Sequence, residues 1–212
     1  MIASSHAAAA AGVLIAALAF VSAAAAEDAV TPQAQQVFQV LDAMGVETKW
    51  IAGQHIYWES GLPTGVPETS SGKHTHCSAF VAAAAKKLSV YILRPPEHGQ
   101  KLLANAQNEW LAAEGPTHGW HKLADAREAQ ADANRGLLVV ASYRNHHDDR
   151  PGHIAIVRPG TKTPAQIAAE GPDVIQAGAV NATAISIKAG FAGHPAAWRD
   201  NEIAYYAHEV KL

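Results

Sequence analysis

Cysteine is almost missing from this chain: Cys77 is the only one in 212 residues, so no internal disulfide can form. A basic excess is missing too. Lys and Arg number 16 against 19 Asp and Glu, a net charge of −3, which leaves no positive field to gather a polyanion, and no nucleic-acid partner is expected. Charged residues make up only 17 % and apolar ones 49 %, a balance that excludes a disordered chain and fits one compact domain. Neither HExxH nor a paired CxxC spacing occurs, so no metal or organic cofactor is expected.

Long hydrophobic runs are missing with one exception. Ala7 to Ala26 is apolar almost throughout and ends Ala24-Ala25-Ala26 before Glu27, a small-x-small pattern that signal peptidase reads. Residues 1–26 are therefore expected to be a cleaved signal peptide and 27–212 an exported domain, periplasmic or secreted. The alternative is an uncleaved anchor, since about 20 apolar residues span a bilayer, but the alanine content makes this run weakly hydrophobic. In an oxidising compartment a lone thiol is at risk, so its presence favours chemistry over packing.

The remaining pattern predicts helices first and strands later. Thr31 can cap a helix running to about Met44, with Pro32 in its first turn and Gly45 at its end. Glu47 to Trp58 is an extended segment or a short strand, and Glu59 to His76, rich in Gly, Pro, Ser and Thr, is a loop. Cys77 then opens an alanine-rich helix to Leu88 whose inward face carries Phe80, Val81 and Ala84. A third helix is expected over Glu97 to Ala113, with Leu102, Leu103, Ala106, Trp110 and Leu111 inward, and a shorter one over Leu123 to Ala133. Strands follow at Leu137 to Ala141, His153 to Val157, Asp173 to Ala177 and Glu202 to Val210, with a turn over Asn145 to Gly152. This order indicates an α+β domain with an antiparallel sheet.

A cysteine at a helix start has its thiolate favoured by unpaired N–H groups, and its own N–H points where an oxyanion would form. Such a nucleophile needs a base, and His153 has the best placement among 12 histidines: it opens an apolar strand, and Gly152 before it permits close backbone approach. His74 and His76 are expected to line the cleft, where a protonated imidazole would lower the Cys77 pKa. His146-His147-Asp148-Asp149 reads as a solvated turn, because neighbouring turn residues seldom converge on one ion. Trp120, in a histidine-bearing loop, is expected in the core.

The order HCSAF at a helix start followed by GHIAIV on a strand resembles the papain-like cysteine peptidases and amidases of the NlpC and CHAP type, which cut amide bonds in cell-wall peptidoglycan. The resemblance runs from about Tyr57 to Gln176. It implies a papain-like fold with N-terminal helices packed on a small antiparallel sheet, a peptide or peptidoglycan substrate and a thioester intermediate. It implies as well a third polar group on the strand after the histidine strand. Gln176 is the choice there, accepting from Nδ1–H of His153, with Asn181 in reserve, and Tyr57 is the oxyanion donor. These families usually carry an aspartate or similar small residue where this chain has His76. A monomer is expected, with an inhibitor partner left open. Three rival readings remain: a non-catalytic cell-wall binding module, a periplasmic metal-binding protein using His146 and His147, and an acyltransferase of the same fold.

Overall fold

The computed structural model describes residues 29–67 and 74–212; the expected signal peptide lies outside the described residues. No helix of the described residues is long and apolar enough to cross a membrane. Helix α1 (Pro32–Asp42) is capped by the Thr31 side chain, which accepts from Ala34 N–H, and the chain turns out of it through Gly45 in the left-handed region at φ 70°. The following segment forms a short 3-10 turn at Val46–Thr48 and one isolated bridge, Ile56 to Pro63, so it is extended rather than part of the sheet. Its Trp50 indole packs edge-on against Phe80 at 5.2 Å and donates to the Trp58 carbonyl, which lays the segment along the next helix.

Helix α2 (Cys77–Lys87) is more deeply set than its periodicity suggests: every residue from Cys77 to Ala85 is buried. Alanine explains this, because a helix with so little side-chain bulk lets neighbours close on all sides. Helix α3 (Leu103–Ala113) starts later than expected because Leu102 adopts a left-handed conformation at φ 56°. Its inward face also differs. Trp110 is only half-buried, and the buried positions include the amides Asn105 and Gln107. A short strand β1 (His121–Lys122) precedes α4 (Ala126–Arg135), where the Asp125 side chain accepts from the N–H groups of Arg127 and Glu128. That cap moves the helix past the expected Leu123 start. Trp120 is buried, as expected.

Strands β2 (Leu138–Tyr143), β3 (His153–Val157), β4 (Asp173–Gln176), β5 (Ala182–Ser186) and β6 (Ala204–His208) join β1 in one sheet of order β1-β6-β2-β3-β4-β5. All its pairings are antiparallel. Helices α5 (Pro164–Glu170), α6 (Ile187–Gly190) and α7 (Pro195–Arg199) interleave with the later strands. The chain is therefore α+β, but helices do not simply precede strands. Ile154, Ile156 and Ile175 share one core with α1 and α2, while Ala155, Val157 and Val174 share another with α4, Ile187, Phe191 and Ala197. Being covered on both faces, β2 and β3 are buried at every residue, which is why they read as unbroken apolar runs.

Gly152 fixes where β3 begins. A Cβ there would lie 2.0 Å from the Tyr143 carbonyl oxygen and 2.7 Å from Asn105 Oδ1, so only glycine fits. Gly152→Ala should destabilise the fold by about 3 kcal/mol, read as a lowered urea midpoint, whereas Gly99→Ala, with nothing within 4 Å, should change little.

Candidate active site

The thiol of Cys77, 3 % exposed, sits at the first turn of α2, where the Phe80 N–H already closes onto the His76 carbonyl at 2.9 Å. Backbone N–H groups of Ile154 and Ser78 and the Thr75 side chain point at the sulfur and favour its anion. Burial outweighs them and holds the thiol pKa above its ordinary value. The helix start therefore does not yield the lowered pKa expected of it; Cys77 is held as a thiol.

His153, 5 % exposed, is fixed by a 2.9 Å hydrogen bond between its Nε2 and Oε1 of Gln176, itself 2 % exposed. The Gln176 Nε2 donates to the Val180 carbonyl at 3.0 Å. A carbonyl can only accept, so the amide nitrogen must face Val180 and the amide oxygen must face the ring. His153 is thereby the Nε2–H tautomer, with its lone pair on Nδ1. The expected Nδ1–H contact is corrected: Gln176 engages the opposite nitrogen and leaves Nδ1 as the proton-accepting atom. Burial holds the imidazole pKa below its usual value, against the opposing pull of the Gln176 hydrogen bond.

The ring is walled tightly. Phe191 meets it edge-on at 4.6 Å, and a Cβ on Gly178 would lie 3.3 Å from both His153 Cε1 and Gln176 Nε2. A Cβ on Gly190 would lie 2.6 Å from Gln176 Oε1. Thiol and imidazole form no hydrogen bond with each other among the described residues. Strand β3 connects them: the sulfur takes the N–H of Ile154, the residue next to His153. The imidazole shares the face of Ala155 and Val157 while α2 covers Ile154 and Ile156, so ring and thiol approach the first residues of β3 from its two faces.

Helix α3 supplies what sequence reasoning missed. Asn105 Oδ1 accepts from Gly152 N–H at 2.8 Å and Asn145 N–H at 3.1 Å, and its Nδ2 donates to the Arg150 carbonyl, pinning the turn that delivers His153. Gln107 Nε2 donates to the carbonyls of Ser78, next to Cys77, and Leu93. Asn108 donates to Ser142 Oγ on β2. The run Leu103-Ala-Asn-Ala-Gln-Asn carried the signal, since amides on the buried stripe of a helix need partners.

Other expected residues lie elsewhere. Asn181 donates to the carbonyls of Val46 and Lys49, so it secures the segment after α1 and does not touch His153. His76 is buried and its Nε2–H donates to the Gln54 carbonyl at 2.9 Å. The Tyr57 side chain is 61 % exposed on the segment running along α2. His146 pairs with Glu202 at 2.8 Å, and no group of three or more His, Cys, Asp or Glu residues is arranged to hold a metal ion among the described residues. His194, which had no assigned role, lies stacked 6.1 Å from His153 and 5.4 Å from Tyr143. Comparison with protein-family models and with curated proteins finds no match for this chain.

Two outcomes follow from this packing. Gly190→Ala should displace the Gln176 amide from the His153 ring, because the group it meets is the end of a side chain; imidazole nitrogen NMR alongside circular dichroism melting reads the displacement separately from stability. Because His153 is bound neutral, the unfolded chain takes up the proton first, so its contribution to stability is full above about pH 6.5 and declines as pH falls towards the lower folded value. The acid-side fall in melting temperature should be shallower in His153→Gln.

Proposed function

We propose that the chain is an exported cysteine hydrolase of amide bonds, a papain-like enzyme of the NlpC and CHAP kind, acting on peptidoglycan stem peptides or cross-links. The observation that carries the proposal is the buried His153 held by Gln176 as the Nε2–H tautomer, its Nδ1 lone pair left at the end of the strand whose next N–H meets the lone thiol. A histidine fixed in this way has the properties of a general base.

The chemistry starts from a neutral pair. Cys77 and His153 are both buried, and burial disfavours the charged form of each, so a resting thiolate–imidazolium pair is not the ground state. When the sulfur attacks the substrate carbonyl carbon, Nδ1 takes the thiol proton, and the imidazolium is stabilised through Nε2–H by the Gln176 oxygen. The negative charge forming on the carbonyl oxygen is met by N–H groups at the start of α2. Collapse of the tetrahedral species breaks the C–N bond, Nδ1–H protonates the departing amine, and a thioester remains on Cys77. Water, deprotonated by the same Nδ1, then attacks the thioester, and the acid leaves as the thiol regains its proton. An amide oxygen supports the imidazolium less than a carboxylate does, so Gln176 serves chiefly to hold orientation and tautomer.

Cys77→Ala should abolish release of new amine termini from purified cell-wall fragments; an active alanine variant would contradict the reading. Since the base must be neutral to work and burial keeps it so, kcat/KM should hold its plateau below pH 6.5 before falling. Iodoacetamide labelling of Cys77 without substrate should be slow near neutrality and rise on the alkaline side, because only thiolate reacts and its pKa is raised.

A further inference from the structure

On the sheet face away from α2, a cleft of about 620 Å³ opens between the start of α4, helix α5 and the α7–β6 connection. That volume lies within the range of pockets that hold small ligands. Its apolar walls come from Leu123, Ile167 and Ile203, with the half-buried indole of Trp198 and the side chains of Asn201 and Tyr205 beside them. Tyr205 is only 8 % exposed as a residue, and its oxygen is not among the buried atoms left without a partner, so the hydroxyl reaches solvent at the cleft, where it can donate and accept. Burial keeps it un-ionised far above its usual range.

The charges around the cleft are largely engaged. Asp125 Oδ1 caps α4 through two N–H groups while its Oδ2 faces the Arg127 guanidinium at 3.4 Å, and Glu202 is held by His146. Lys122 contributes a solvated ammonium at the rim. The uncharged lining is thus an indole, whose ring Lys188 Nζ approaches to 6.0 Å, with apolar side chains, a neutral hydroxyl and a primary amide. We propose that this cleft binds an uncharged sugar ring, whose C–H face packs on the aromatic and apolar wall while its hydroxyl or acetamido groups bond to Tyr205 and Asn201.

The cleft lies on the sheet face that carries the His153 ring, opposite α2, and is separate from the thiol. Tyr205 pairs with Ala141, and Ala141 with Ala155, so the cleft lies two strand spacings from β3, about 10 Å. Helix α7, which carries Trp198, begins directly after His194, the neighbour of His153. The sugar site does not rest on the proposed hydrolase reading.

The test is calorimetric titration of the full chain with the linear β-1,4 trimer of N-acetylglucosamine, which reads binding without turnover. Saturable binding should appear, weakened about tenfold by Tyr205→Phe through loss of one hydrogen bond and at least as much by Trp198→Ala, unchanged in Cys77→Ala and insensitive to salt. Tyr205→Phe removes a single oxygen and keeps the ring, so its effect is interpretable even where Trp198→Ala unfolds. Absence of saturable binding into the millimolar range, equal affinity in Tyr205→Phe, steep salt dependence, or displacement by a short peptide without sugar would each overturn the proposal. Sugar binding by a chain that never cleaves an amide would leave the site standing and remove the hydrolase.

Discussion

Two buried amides on α3 hold the arrangement together. Asn105 and Gln107 sit two residues apart on one helix, and each grips backbone from a different part of the chain: Asn105 the Asn145–Gly152 turn, Gln107 the carbonyl of Ser78 at the start of α2. Cys77 and His153 come from segments distant in sequence, so their relative position depends on this helix rather than on local geometry. The Asn105 bond also gives the buried Gly152 N–H its partner, a group that would cost on the order of 1–3 kcal/mol if left unpaired. The interaction that positions the pair is therefore one that the fold itself requires.

Tight backbone packing extends that constraint to the imidazole. Glycine at 152 lets β3 start against the Tyr143 carbonyl, and glycines at 178 and 190 leave room for the Gln176 amide to reach the ring's Nε2–H. Phe191 closes the remaining edge. In so dry an environment burial disfavours the charged form of both groups, and under the proposed function the reactive ion pair would form only as substrate is engaged. A thiol held this way resists oxidation, because oxidants, like electrophiles, react with the thiolate.

Much of the site could be read in the sequence because it is written in local signals. The alanine run fixed α2, the apolar run GHIAIV gave β3 its observed bounds, and the polar residue closing β4 was Gln176. What escaped detection depended on tertiary contact. Helix α3 was read by its large apolar residues, yet Trp110 is half-buried beside Tyr91 and His118 while the amides face inward. Strand β5 carries Ala182-Thr-Ala-Ile-Ser, too weakly patterned to announce itself, and is held in the sheet by its pairing with β4. Helix α5 did carry a local mark, since Thr163 and Gln166 form a reciprocal capping box, but at seven residues it offers too little periodicity for a pattern to register. The imidazole nitrogen engaged by Gln176 could not be read at all, because it depends on the Val180 carbonyl orienting the amide.

The central claim is that His153 is held with its proton on Nε2 and its lone pair on Nδ1, the atom that the proposed function assigns as the base for Cys77. Long-range proton–nitrogen NMR of the imidazole in the native chain tests this directly, recorded before and after alkylation of the single cysteine. The account predicts a protonated Nε2, a bare Nδ1, and an Nδ1 resonance that moves when the sulfur is modified. A ring protonated on Nδ1, or an Nδ1 signal indifferent to Cys77, would contradict it.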